Sequence, residues 1–260
     1  MEHTEHPVAG VSDPPLATVL EWWSGNARHL PWRASRDVYA IWVSEVMSAQ
    51  TTVGRSAQAW VGWMERWPTV EALAGATLSE VLTVWQGLGY PRRARDLHRS
   101  ARIVVASGWP EDLTELPGVG DYVAAAVRCF AREEQVLPLD VNVRRVLARR
   151  FPTGVDIAGD PWRAGQAIME FGQRICCARP RCDQCPVREG CPGTEAGVPP
   201  LGSRRQKPFA GSLRQRRGRL LRRALSDGAV EVGEADREAA AGLAQDGLVV
   251  LADGWLRPPA

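Results

Sequence analysis

Lysine is almost absent from this chain of 260 residues: of its 32 basic residues, only Lys207 is not an arginine. From residue 1 to residue 206 there is therefore no side-chain amine, and neither a phenol nor a guanidinium can form an imine with a carbonyl carbon. Long apolar runs are missing too. No stretch reaches the roughly 18 apolar residues of a membrane-crossing helix, and the opening Met1-Glu2-His3 lacks the charged-then-apolar order of a secretion signal. A cytoplasmic protein without a membrane partner is expected. Alternating strand patterns are scarce and no fixed-period repeat occurs, which argues against a sandwich, a barrel or a solenoid.

Acidic residues are absent between Arg204 and Arg223, a stretch holding nine basic ones, whereas the first thirteen residues carry acids and no Lys or Arg. This distribution says more than the net charge of +2. Arginine stays charged and forks onto phosphate oxygens, so the bias suits a nucleic-acid binder. A GC-rich coding sequence produces the same bias, and composition leaves both readings open.

With 45% hydrophobic and 24% charged residues, the chain reads as globular. Apolar positions recur at helical spacing over 14–30, ending at the Leu30-Pro31-Trp32-Arg33 turn, and over 38–49. Further amphipathic stretches cover 54–66, 69–74, 78–87, 91–106, 111–115, 121–132, 141–150 and 161–175, many of them separated by Pro or Gly. Residues 14–191 thus read as one all-α domain. The Pro, Gly, Ser and Arg of 192–212 mark a basic linker. Residues 213–260 form a small module with helices near 213–226 and 234–245 and a terminal hairpin about Ala252-Asp253-Gly254, which suggests a winged-helix-like piece.

Five of the six cysteines fall within sixteen residues: Cys176, Cys177, Cys182, Cys185 and Cys191. Such crowding without a secretion signal argues for metal rather than disulfides. Cys176, Cys182, Cys185 and Cys191 give C-x5-C-x2-C-x5-C, enough thiolates for a four-iron cluster or a structural zinc. The spacing alone does not choose, and the neighbouring motifs favour iron. Cys129, in an Ala/Val-rich helix, reads as a core thiol.

Leu116-Pro117-Gly118-Val119-Gly120 lies between two helical stretches. Gly118 and Gly120 free the backbone to turn tightly, and the next helix points its unpaired N–H groups at the turn, so the turn can cradle a phosphate. An ordinary helix connection is the plainer reading, and the Ala-rich helix that follows favours close approach of a ligand. Two carboxylates stand out. Glu45 is the only acid in Ile41-Trp42-Val43-Ser44-Glu45-Val46-Met47, where burial would raise its pKa and make it a proton donor, unless it is a structural acid paired with an arginine. Asp140, in Leu139-Asp140-Val141-Asn142-Val143, is placed either to cap a helix or to face a developing positive charge.

Taken in chain order, the segments LPWR (30–33), SEVMSAQTTV (44–53), VWQGLGYPRRARDLH (84–98), LPGVGDYVAAAV (116–127), LDVNVRRVLARR (139–150) and the cysteine loop resemble the MutY-type adenine DNA glycosylases of the helix-hairpin-helix superfamily, cousins of endonuclease III. FAGSLRQRRGRLL (209–221) is similar to the tail of short actinobacterial-like members. The resemblance implies a two-lobed helix-hairpin-helix fold with a [4Fe-4S] cluster loop, acting as a monomer on double-stranded DNA that contains a damaged or mismatched base, in the nucleoid. It implies that Glu45 protonates the departing base and that Asp140 stabilises the oxocarbenium-like sugar. Gln50 and Leu88 match residues that wedge into the duplex, Thr51 and Tyr90 match lesion-site positions, and Tyr122 and Asn142 approach the reaction centre.

Three departures from the family pattern matter. Ser48-Ala49-Gln50-Thr51 stands where the family usually reads Leu-Gln-Gln-Thr, which makes Ser48 and Ala49 variants of the base pocket. The first cysteine gap is one residue shorter than usual. The sixty-odd C-terminal residues are too few for the large domain that reads 8-oxoguanine in longer relatives. The expected activity is monofunctional excision of adenine opposite 8-oxoguanine, since bifunctional relatives carry a lysine where this chain has Tyr122. Excision of thymine, uracil or hypoxanthine is the same-class alternative, and a non-catalytic DNA-binding protein with a structural cluster is the other.

Overall fold

Asp13 starts the first helix: its carboxylate accepts the Leu16 amide, and Pro14 and Pro15 fill first-turn positions where an N–H would find no partner. The computed structural model describes residues 13–195 and 208–260. Its helices are α1 (Pro14–Asn26), α2 (Val38–Ser48), α3 (Val53–Arg66), α4 (Val70–Ala74), α5 (Leu78–Val84), α6 (Arg92–Ser107), α7 (Asp121–Ala131), α8 (Val141–Arg150), α9 (Pro161–Arg174), α10 (Pro192–Glu195), α11 (Leu213–Asp227) and α12 (Arg237–Gln245). Strands β1 (Val230–Glu231), β2 (Val250–Ala252) and β3 (Trp255–Arg257) complete them. The all-α expectation therefore holds for the bulk of the chain. Three stretches are clearly shorter than their patterning predicts, one of them 78–87, which is helical only over Leu78–Val84. Helix α1 stops at Asn26, where Ala27 leaves helical backbone, and 111–115 supplies only the 3-10 turn Leu113–Glu115.

The described chain gathers into two units, residues 13–41 with 121–195 and residues 42–120 with 208–260. The core of the first is made by α1, α8 and α9: Leu16, Val19, Leu20 and Trp23 meet Val143, Val146, Ile168 and Phe171. Gly172 permits this packing, since a Cβ there would stand 2.7 Å from the Asn142 carbonyl oxygen. Beside the core, the buried Glu170 carboxylate accepts from Trp23 Nε1 (3.2 Å), Arg28 Nε (2.7 Å) and a terminal nitrogen of Arg33 (2.7 Å). Burial pushes this carboxyl up, but the hydrogen bonds and charges of Arg33 and Arg28 outweigh burial and hold it below the usual glutamate value. The Leu30-Pro31-Trp32-Arg33 segment thus works as a structural anchor.

In the second unit Trp63 packs edge-on against Trp67 and Trp85, with ring centroids 4.7 and 5.7 Å apart. Thr77 and Glu80 close a reciprocal capping box at the start of α5. The terminal module joins this unit through α6 and α5. Asp246 pairs with Arg217 and lies 3.8 Å from Arg92, its carbonyl accepts from Arg95, and the Ala260 carbonyl accepts the Leu78 amide at 3.3 Å. The module's sheet is antiparallel in the order β1-β3-β2, with Leu256 opposite both Val230 and Leu251. The terminal hairpin expected from the sequence is β2–β3, and β1 adds a third strand, a winged-helix-like arrangement.

The basic stretch behaves differently from a free phosphate-binding comb. Arg217 pairs with Asp246, Arg219 with Asp236 (2.8 Å) and Arg223 with Asp227 (3.5 Å), while Arg216 donates to the Ala235 carbonyl at 2.7 Å. These arginines bind the module's own acids and carbonyls. Arg204, Arg205 and Lys207 lie outside the described residues, as does most of the 192–212 linker.

Candidate active site

Helix α2 carries Glu45 in its last two turns. Glu45 is 8% exposed, on a helix whose residues Trp42, Val43, Val46 and Met47 are all buried. No other acid shares this helix. Directly after α2 the chain turns through Ser48, Ala49, Gln50 and Thr51, and Gln50 takes the left-handed conformation at φ 59°. A second turn, from Gln86 to Pro91, puts Tyr90 in the same region at φ 48°. Neither residue is a glycine, so both backbones are held where side chains are disfavoured.

The two turns are tied to each other. Thr51 Oγ1 donates to the Leu88 carbonyl at 3.2 Å, and within the second turn Trp85 Nε1 donates to the Gly89 carbonyl at 3.0 Å. Gln50 is exposed and Tyr90 is 46% exposed, as residues that meet a ligand would be. Leu88 is only 5% exposed. Its amide and carbonyl are both engaged in the turn. Thr51 likewise spends its hydroxyl on the turn.

The glycine hairpin belongs to the same unit. The Val119 amide donates to the Leu116 carbonyl at 3.1 Å, closing a tight turn, and Ser100 Oγ donates to the Pro117 carbonyl at 2.9 Å. Gly118 sits at φ 77°, and a Cβ there would meet Asp96 Cβ at 2.8 Å, so both its conformation and its space require glycine. At Gly120 a Cβ would meet open space. Helix α7 begins at the next residue.

In the other unit Asp140 is the N-cap of α8. Its Oδ1 accepts the amides of Asn142 (2.8 Å) and Val143 (2.7 Å), and its Oδ2 accepts from Asn142 Nδ2 (2.6 Å). The carboxylate is thus oriented by three donors and remains partly open to solvent. Tyr122 Oη lies 4.0 Å from Met169 Sδ. Arg145 reaches from α8 to Asn142 Oδ1 (3.2 Å) and to the Gly172 (3.1 Å) and Cys176 (3.4 Å) carbonyls. Arg149, one turn on, touches Cys176 Sγ (3.8 Å) and donates to the Cys177 carbonyl at 2.8 Å.

Those two arginines lead into the cysteine loop. Cys176, Cys182, Cys185 and Cys191 all line one cavity of about 310 Å³, together with Phe171, Ile175 and Val187. Burial pushes the Cys176 thiol up against the pull of Arg149, and burial followed by the nearby Cys176, Cys191 and Cys182 pushes up that of Cys185. Cys177 turns away and donates to the Arg179 carbonyl at 2.9 Å. Cys129 is buried in α7, where its thiol donates to the Pro161 carbonyl at 3.2 Å. No three His, Cys, Asp or Glu side chains among the described residues converge to grip a single ion.

Sequence reasoning missed Arg93, Arg145, Arg149 and Glu170. The signal for two of them was available: Arg145 and Arg149 are four apart and share the apolar stripe of Val146, where a solvated arginine does not belong.

Residues 43–156 match the HhH-GPD superfamily of base excision DNA repair proteins. The chain is 40% identical to the adenine DNA glycosylase of Mycobacterium tuberculosis over 232 residues, covering 78% of this chain and 76% of that protein. It is equally identical to the adenine DNA glycosylase of Mycolicibacterium smegmatis, with 78% of each covered. Among solved structures, a thermostable thymine-DNA glycosylase superimposes with a TM-score of 0.63 at 27% identity, covering 70% of this chain and 95% of that one. The chain therefore belongs to the HhH-GPD superfamily of base-excision repair proteins and, within it, to the MutY-type DNA glycosylases.

Proposed function

We propose that this glycosylase removes adenine from duplex DNA, with adenine opposite 8-oxoguanine as its preferred target, and leaves the strand intact. Glu45 gives a proton to the departing base, Asp140 faces the charge that develops on the sugar, and water completes the hydrolysis. What supports this is a 40% identity to curated adenine DNA glycosylases in a chain that keeps a buried glutamate in α2 of one unit and a triply oriented carboxylate at the cap of α8 in the other. The test is a panel of duplexes, each with one target pair: adenine opposite 8-oxoguanine, guanine or cytosine, thymine or uracil opposite guanine, and hypoxanthine opposite thymine. Alkali-labile breaks should form fastest with adenine opposite 8-oxoguanine. Faster release of thymine or uracil would reassign the substrate. That second reading is favoured by Ser48 and Ala49 at the pocket and by the likeness to the thymine-DNA glycosylase.

The cysteine loop fits a [4Fe-4S] cluster held by Cys176, Cys182, Cys185 and Cys191. Four thiols that line one cavity of about 310 Å³ suit a multi-atom cage. When bound, the cluster would supply a cross-link between α9 and the 176–191 loop, with Arg145 and Arg149 steadying the loop backbone from α8. Purified protein should be brown, absorb at about 400 nm and hold iron rather than zinc. Stoichiometric zinc without iron would refute this.

The lack of a lysine at Tyr122, and of any lysine before Lys207, supports hydrolysis without strand cleavage. Borohydride added during base release should therefore trap no stoichiometric covalent adduct. An adduct that forms as fast as the base leaves would show an amine-dependent lyase. The protein acts as a monomer on double-stranded DNA, in the cytoplasm and at the nucleoid. No described helix is long and apolar enough to cross a membrane.

A further inference from the structure

Arg93 stands in the first turn of α6, where the helix dipole disfavours a cation, and burial of its guanidinium lowers its pKa further. Its Nε is buried with no hydrogen-bond partner. Neither the helix dipole nor solvation favours an arginine here, so its worth must lie in its contacts.

Those contacts converge from two segments. One terminal nitrogen donates to the carbonyls of Val46 (2.6 Å) and Ala49 (2.5 Å) and lies 3.3 Å from that of Met47. It thereby caps the carbonyl end of α2, directly after Glu45. The other terminal nitrogen donates to the carbonyls of Leu88 (3.0 Å) and Gly89 (3.1 Å) and to Thr51 Oγ1 (3.3 Å). The guanidinium carbon also lies 5.2 Å from the centre of the Trp85 ring and 5.6 Å from that of Tyr90. The acceptors flank the two left-handed residues, Gln50 between Ala49 and Thr51, and Tyr90 after Gly89. A planar fork can span two turns in this way, whereas an ammonium group, a point donor on a flexible stem, cannot hold both in register.

We propose that Arg93 is the positioning residue of the base-extrusion platform: by bridging the end of α2 to the 86–91 turn, it holds Gln50 and Tyr90 in their left-handed conformations and presents both side chains to the duplex. The inference rests on the reading of this protein as an adenine glycosylase only for the ligand that the platform meets.

The test uses the full-length protein and its Arg93→Lys variant. Hydrogen exchange should quicken in 46–51 and 87–90 together while α4, α8 and α9 keep wild-type protection. Base release in single turnover, from duplex with adenine opposite 8-oxoguanine, should slow by about 10–100-fold, as a misplaced contact group does. The same substitution should have almost no further effect when Gln50 and Tyr90 are both alanine, because Arg93 acts through them. Uniformly faster exchange would show a general stability role and overturn the proposal, as would a full rate loss from Arg93→Lys in the double-alanine background. If Arg93→Lys fails to fold, Arg93→Gln, which keeps a planar donor, takes its place in the same measurements. Should wild-type protein release no adenine, the functional reading fails, and the exchange pattern in the two turns still decides the role of Arg93.

Discussion

Glu45→Gln should lower the single-turnover rate of base release by about 10²–10⁴-fold, the usual worth of a positioned proton donor, while duplex affinity stays near wild type. Glutamine has the shape of protonated glutamic acid, so the packing of α2 around Trp42, Val43, Val46 and Met47 is preserved and the fold is not at risk. What disappears is a proton that can be given to a leaving base. An amide cannot supply one at neutral pH, and with Glu45 buried to 8% exposure solvent is poorly placed to do so instead. Affinity is set mainly by phosphate contacts that this buried side chain does not make. A variant that releases adenine at near wild-type rate would move the acid role to another residue. A variant with lost affinity and normal single-turnover chemistry would make Glu45 a structural acid.

Much of this architecture was legible because its causes are local. The Asp13-Pro14, Thr77-Glu80, Asp160-Pro161 and Ser212-Gln215 caps lie within three residues of their partners, and the helices they start fall where the apolar spacing puts them. Glu45 and Asp140 could be singled out because an acid in an apolar run and an acid before a helix are each conspicuous in one dimension. What could not be read were charges whose partners are remote in sequence. Glu170 finds Arg28 and Arg33 more than 130 residues away. Arg93 finds Val46 and Ala49 across more than forty. The arginines of α11 look from sequence like a solvated phosphate-binding face, yet Asp236 and Asp246 neutralise two of them from beyond the next turn. The short β1 strand was hidden for a related reason: two residues carry no period, and only pairing with β3 defines them.

Asp140 presents a sharper case, because it is the N-cap of α8 and the catalytic role proposed for it must be separated from that duty. Asn caps a helix about as well as Asp, so Asp140→Asn keeps an acceptor for the Asn142 and Val143 amides. The group facing Asn142 Nδ2 becomes an amide nitrogen, a donor opposite a donor, and that hydrogen bond of 2.6 Å is lost. Its loss costs about 0.5–1.5 kcal/mol, which in a chain of this size lowers the melting temperature by a few degrees at most. The chemistry is affected much more. A neutral amide cannot offset the positive charge that grows on the sugar as the base departs. Losing such preorganised electrostatic stabilisation typically costs about 10²–10³-fold in rate. Asp140→Asn should therefore melt close to wild type, bind duplex normally and release base at least a hundredfold more slowly, by the low end of that range. Asp140→Ser, another good cap without charge, should do the same and guards against an amide clash as the cause. If both variants keep wild-type single-turnover rates, Asp140 is a helix cap and nothing more. If both lose the cap and melt much earlier, the rate comparison moves to a temperature where each variant is folded, and a rate within threefold of wild type there would remove Asp140 from the mechanism.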